Sequence, residues 1–131
     1  MIIKIEPSNG LAIYEQVVRQ LKFLIADGAL RPGEYVPSVR ELAKRLAINP
    51  NTVSRAYRQL QDDGVLESQR GMGLQVSHAA QKKCKADRLV LIRQRLRDAL
   101  SEAMHSGLSA EEISNITSDE LKKLDDSHDS E

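Results

Sequence analysis

The chain has 131 residues, 40% hydrophobic and 29% charged, which suits one small domain with an appendage and excludes a disordered composition. With no tryptophan and a single phenylalanine, the core must be aliphatic, and stacking of single-stranded bases on aromatic side chains has little to draw on. The net charge of zero hides a segregation: residues 1–78 carry +2, residues 79–97 carry +6 and residues 98–131 carry −8, so the basic parts can approach phosphate while the acidic end avoids it. Cys84 is the single cysteine, so no internal disulfide can form and a reducing compartment fits. The opening residues turn charged too soon for a signal peptide, and no apolar run approaches the ~20 residues of a membrane span. A cytoplasmic protein with no membrane contact is expected.

Ile2, Ile3 and Ile5 around Lys4 suggest a short extended arm that ends at Pro7-Ser8-Asn9-Gly10. Tyr14, Val17, Val18, Leu21, Leu24 and Ile25 recur at three and four, which predicts an amphipathic helix from about Ala12 to Asp27, stopped at Gly28. Arg31-Pro32-Gly33 reads as a turn. Ser38-Val39-Arg40-Glu41 is a capping box opening a helix to about Leu46. Asn49-Pro50 then offers a side-chain cap followed by a proline at the first helical position, where its missing N–H is harmless. That helix buries Val53, Ala56, Tyr57 and Leu60 and stops at Gly64. Asp62 and Asp63 oppose the helix dipole there, with no local reason.

Val65–Ser68 and Leu74–Ser77 are strand candidates around Arg70-Gly71-Met72-Gly73, a β-hairpin. A long helix of about 81–106 follows, and after Gly107 a second capping box, Ser109-Ala110-Glu111-Glu112, opens an acidic helix to about Leu124 with Ile113, Ile116, Leu121 and Leu124 inward. The fold class is mainly α with a small β-hairpin: a winged helix-turn-helix over 1–78, then a two-helix dimerisation appendage over 79–125, with 126–131 as a frayed tail.

The helix after Asn49 is two-faced. Asn51, Ser54, Arg55 and Arg58 lie opposite its apolar stripe at i, i+3, i+4 and i+7. Arginine can make a bidentate contact to guanine, asparagine to adenine, and serine can meet bases or phosphate. Recognition helices use their N-terminal residues on base edges, and their free N–H groups attract phosphate. Thr52 flanks this face, Asn49 begins it, and Arg40 in the preceding helix can reach the backbone. At the hairpin tip, Arg70 with Gly71 and Met72 suits a wing entering a minor groove. Taken alone, the polar face could be an ordinary solvated helix surface and Arg70 an ordinary turn cation.

Together these residues resemble the GntR family of bacterial regulators over about residues 11–78. The carriers are Ile13-Tyr14-Glu15-Gln16, Gly28-Ala29-Leu30-Arg31-Pro32-Gly33, Pro37-Ser38-Val39-Arg40-Glu41-Leu42-Ala43, Asn51-Thr52-Val53, Ala56-Tyr57, Leu60, Gly64 and Arg70-Gly71-x-Gly73. The resemblance implies DNA contacts at Arg40, Asn51, Thr52, Ser54, Arg70, Gly71 and Met72, and a repressor of transcription. Pro50 and Ser54 stand where many members carry cations, which implies a different sequence preference, with Arg55 and Arg58 taking more of the phosphate contact. Only about 53 residues follow the wing, too few for a large effector domain. This is similar to the YtrA branch of that family.

The long helix carries more apolar surface than one stripe hides: Val90 and Leu91 fall outside the face of Leu89, Ile92, Leu96 and Leu100. Two apolar sides call for two partners, its own acidic helix with Ile113 and Ile116, and a second subunit. A homodimer on double-stranded operator DNA with two related half-sites is therefore expected. His78, His105 and His128 show no ligand spacing, and no nucleophile–base or paired-carboxylate arrangement is visible, so neither metal, cofactor nor catalysis is expected. A protein-binding module that keeps the fold without DNA binding is the rival reading. Cys84 beside Lys82, Lys83 and Lys85 is either a linker cysteine among solvated lysines or a redox-sensitive thiolate. No residue set marks a small-molecule effector site.

Overall fold

In the computed structural model, which describes residues 3–129, helix α1 (Ile13–Asp27) presents Val17, Val18, Leu21 and Ile25 to the interior as one stripe. Helix α2 (Val39–Leu46) adds Leu42 and Ala43, and α3 (Pro50–Asp62) adds Val53, Ala56, Tyr57 and Leu60. Strands β1 (Leu66–Gln69) and β2 (Gly73–Val76) pair antiparallel in the register Leu66 to Val76 and Gln69 to Gly73, which turns Leu66 and Val76 into the same core. Burying each of the larger aliphatic side chains stabilises the fold by roughly 1.5–3 kcal/mol. Helices α4 (Ala80–His105) and α5 (Ala110–Asp129) complete the chain. The winged helix-turn-helix with two C-terminal helices is the architecture expected.

Four helix ends close in the same way. The chain enters the left-handed region and the next two N–H groups bond back to carbonyls of the last turn: Gly28 and Ala29 onto Ile25 and Leu24, Gly64 and Val65 onto Gln61 and Leu60, Gly107 and Leu108 onto Met104 and Ala103. After α2 the same motif uses Ala47, at φ 54°, with Ala47 and Ile48 bonding to Lys44 and Ala43. A left-handed alanine costs ~1 kcal/mol or more. The tight turn between α2 and α3 is thus held against a local preference.

Two features escaped the sequence. The segment after Arg31-Pro32-Gly33 lies along β2: Val36 N–H donates to the Leu74 carbonyl at 2.9 Å, and Val76 N–H to the Glu34 carbonyl at 2.8 Å. It is too short for a period-two pattern to show. The N-terminal arm is held by glutamines one helical turn apart on α1: the Gln16 amide pairs with both backbone groups of Glu6, and the Gln20 amide with both of Lys4. Each side-chain amide copies the pairing a neighbouring strand would make. Ile3 and Ile5 pack against the core, while Ile2 lies outside the described residues.

The chain divides into two compact units between Val90 and Leu91. Ala80 and Cys84, both fully buried, make the first turns of α4 part of the N-terminal unit's core. Of the tail expected to fray from 126, the residues to Asp129 are helical, with no Gly or Pro to interrupt α5 after its capping box, and Ser130 and Glu131 lie outside the described residues. In that box Glu112 N–H donates to Ser109 Oγ and Ser109 N–H to Glu112 Oε1, both about 3.1–3.2 Å.

Candidate nucleic-acid interface

The two helices that meet at Ala47 are capped by their own sequence. Ser38 Oγ accepts from Glu41 N–H at 3.1 Å and donates to the Glu41 carboxylate at 3.3 Å, where the sequence suggested that the carboxylate would return to the serine N–H. Asn49 Oδ1 accepts from Asn51 N–H at 2.8 Å. Asn49 Oδ1 thus caps α3, as its place before Pro50 suggested. Tyr57, expected only as part of the apolar stripe, also donates its hydroxyl to the Pro37 carbonyl at 2.7 Å, fastening α3 to the segment before α2. Burial holds this phenol well above its ordinary pKa, so it stays a donor.

On the opposite side of α3, Asn51, Arg55 and Arg58 are exposed and Thr52 and Ser54 half-buried; Arg40 is exposed at the start of α2. Asn51, Thr52 and Arg55 come together with Ile13 and Tyr14 around an open groove of about 390 Å³. The Arg55 guanidinium lies 3.7 Å from the centroid of the Tyr14 ring, a cation–π contact that orients it. Ile13 and Tyr14 escaped the sequence reading, which assigned Tyr14 to the buried stripe of its helix. The signal available was its place in the first turn, where a stripe leaves the core. Arg40, Ser54, Arg58 and Arg70 do not line this groove. Arg70, Gly71 and Met72 form the exposed tip of the hairpin, with Gly71 at φ 72° and Met72 N–H bonded to the Gln69 carbonyl at 2.9 Å.

Behind this surface lies a buried cation. Lys22 Nζ sits 2.9 Å from Asp63 Oδ2 and 3.0 Å from Asp87 Oδ2, with its side chain only 8% exposed. Burial alone would lower its pKa, but the two carboxylates outweigh burial and raise it. Asp87 also meets Lys83 at 3.1 Å, and the paired lysines hold its pKa below the ordinary value against the effect of burial. Asp63, unfavourable by the helix dipole, thereby has its reason; Asp62 has none in these contacts.

Cys84 is neither a linker cysteine nor an activated one. It shares the inward stripe of α4 with Ala80, and burial pushes its thiol up to about 11, so the thiolate is disfavoured despite the neighbouring lysines.

In the C-terminal unit, among the described residues, Ile113 alone is buried, at 8% exposure. Ile92, Leu96, Leu100 and Met104 on α4 are exposed, and so are Ile116, Leu121 and Leu124 on α5, which were expected to point inward. Ile113 on α5 is covered, while these large apolar side chains stay uncovered in this chain. Of the residues expected at a subunit contact, Leu89 and Val90 lie exposed at the end of the N-terminal unit and Leu91 is half-buried. No helix among the described residues is long and apolar enough to cross a membrane.

Residues 13–76 match the family described as bacterial regulatory proteins, gntR family. The HTH-type transcriptional repressor YtrA of Bacillus subtilis is 37% identical over 112 residues, 86% of this chain and 86% of the relative. The solved structure of YtrA from Sulfolobus acidocaldarius, a GntR-family transcription factor, is similar with a TM-score of 0.56 and 32% identity over 94% of this chain and 99% of that one. The DNA-binding domain of AraR, solved in complex with operator ORE1, superposes with a TM-score of 0.50 and 25% identity over 59% of this chain and 94% of that one. The first two of these relatives are transcription regulators by description, and the third is solved bound to its operator. On its sequence, its fold and these likenesses, the chain belongs to the GntR family as a YtrA-like DNA-binding transcription regulator.

Proposed function

We propose that the protein works as a homodimeric repressor on a paired, pseudo-palindromic operator, with the N-terminal turns of α3 in the major groove and the hairpin tip in the minor groove. Asn51 and Ser54 read base edges, Thr52, Arg55 and Arg58 serve the backbone, Arg40 reaches phosphate or an adjacent base, and Arg70 with Gly71 and Met72 enters the minor groove. The single observation that supports this best is the two-faced recognition helix: Val53, Ala56, Tyr57 and Leu60 are buried while Asn51, Arg55 and Arg58 stand exposed opposite them. Arg55, resting on Tyr14, is pre-oriented, so less side-chain freedom is lost when it binds. The exposed apolar residues of α4 and α5 supply the subunit contact.

The experiment is a titration of duplexes selected by the protein from a random pool. Asn51→Ala should relax preference at one base position at a cost of roughly 1–3 kcal/mol, and Arg58→Ala should weaken all duplexes alike and reduce the salt slope by about 1. Unchanged binding after Arg40→Ala, Arg55→Ala and Arg70→Ala combined would leave a protein-binding module as the better reading.

A further inference from the structure

The C-terminal unit holds a groove that its own chain leaves open. Arg93, Leu96, Arg97, Leu100, Met104 and His105 recur at three and four along α4 and line a trough of about 760 Å³. Among the described residues, α5 contributes none to its lining. All six side chains are exposed, and Leu96, Leu100 and Met104 form the apolar floor. At about 100° per residue, Arg93 projects among these three and Arg97 lies at their edge. The trough is therefore apolar along its length and cationic within and beside its stripe.

Helix α5 carries a surface of matching kind. Ile116, Leu121 and Leu124 share one face by helical geometry, and all three are exposed. Glu120 lies within that face, one turn from Ile116 and one turn from Leu124. Its ion pair with Lys123, at 3.6 Å, stands at the surface, where such pairs contribute little and exchange readily. Over its whole length α5 has seven acidic residues against two lysines. Each helix thus presents an uncovered apolar stripe that holds charge of one sign, positive on α4 and negative on α5.

Like stripes make poor partners. Two copies of the α4 groove face to face would set guanidinium against guanidinium, and two copies of α5 carboxylate against carboxylate, and like charges brought together at a contact are strongly unfavourable. The complement of each stripe is the other. Within one chain α5 leaves α4 through residues 106–109, covers Ile113 and leaves the groove open. We propose that the α4 groove is a docking site for helix α5 of a second copy, with the partner's Glu120 set against Arg93 and Arg97, and the partner's Leu121 and Leu124 on Leu96, Leu100 and Met104. A twofold axis repeats the contact, so each chain gives one helix α5 and receives another. This rests on the homodimer reading and adds which helix meets which. The apolar stripes supply the area, and the opposed charges select α4 with α5 over either helix with its own kind.

The test is charge reversal in the full-length protein, read by sedimentation equilibrium. One variant is Glu120→Lys; the other combines Arg93→Glu with Arg97→Glu. All three positions are exposed, so both chains should keep the wild-type circular dichroism. Each variant alone should self-associate about tenfold or more weakly than wild type, because the docked helix then meets its own sign of charge. Mixed one to one, the two variants should associate within about threefold of wild type, since both contacts of the mixed dimer again oppose unlike charges. Wild-type self-association in Glu120→Lys overturns the proposal, as it would mean that α4 meets α4. Failure of the mixture to restore association overturns it as well, as it would leave α5 to the groove of its own chain. Wild-type protein that stays monomeric at every concentration would instead defeat the homodimer reading, a result visible before any variant is made.

Discussion

The N-terminal unit and the C-terminal unit use the same aliphatic residues to opposite effect. In the first, Val17, Leu21, Ile25, Leu42, Val53, Leu60, Val65 and Val76 are all but inaccessible to water. In the second, Leu96 is 56% exposed, Leu124 67%, and Ile113 alone is buried among the described residues. Three helices and a hairpin can surround a common centre; two helices can only cover one line of contact. The N-terminal unit therefore buries its apolar residues within one chain, while the C-terminal unit leaves most of its large apolar side chains exposed, as the proposed subunit contact requires.

The contrast can be broken most strongly by making the same truncation in both units. Leu60→Ala should lower the unfolding free energy by about 2–5 kcal/mol, whereas Leu96→Ala should change unfolding of the N-terminal unit by less than about 0.5 kcal/mol, both read by urea titration at low protein concentration. Placing a charge on the exposed stripe comes next. Leu96→Asp should weaken self-association by about tenfold or more in sedimentation equilibrium, since an unpaired carboxylate resists burial. Indifference of self-association to that change would mean the subunit contact lies elsewhere.

Smaller effects sharpen the account of the N-terminal unit. Tyr57→Phe should cost about 1 kcal/mol, leaving the Pro37 carbonyl without its donor while the ring still packs. Asp87 has a folded pKa below the ordinary carboxylate value, so its stabilisation is complete at neutral pH and is lost as pH falls through the folded pKa. The stability gap between wild type and Asp87→Asn should therefore close below about pH 4 in acid titrations followed by circular dichroism. Ala47→Gly should be the mildest, a gain of a few tenths of a kcal/mol: relief of the left-handed alanine, reduced by the greater freedom of glycine when unfolded.

Much of the fold was legible because its signals are local. Ser38, Asn49-Pro50 and Ser109 start helices through bonds to residues two or three positions away, and Gly28, Gly64 and Gly107 end them within one turn. The polar face of α3 was legible for the same reason, since Asn51, Arg55 and Arg58 are opposite Val53, Ala56, Tyr57 and Leu60 by helical geometry alone. What could not be read were partners separated by many residues: Tyr14 under Arg55, Lys22 between Asp63 and Asp87, and Cys84 in the core beside Lys22 instead of in a linker.

By itself, then, the order of residues determined which segments are helical, where each begins and where all but the last stop, and which face of the recognition helix is polar, because those depend on dihedral preference and on neighbours within a turn. Only the tertiary structure decided how far the N-terminal unit extends along α4, which polar side chains are engaged by others, and which apolar side chains of the C-terminal helices remain uncovered. Those outcomes depend on long-range neighbours and on the number of surfaces available to cover each residue, neither of which helical periodicity records.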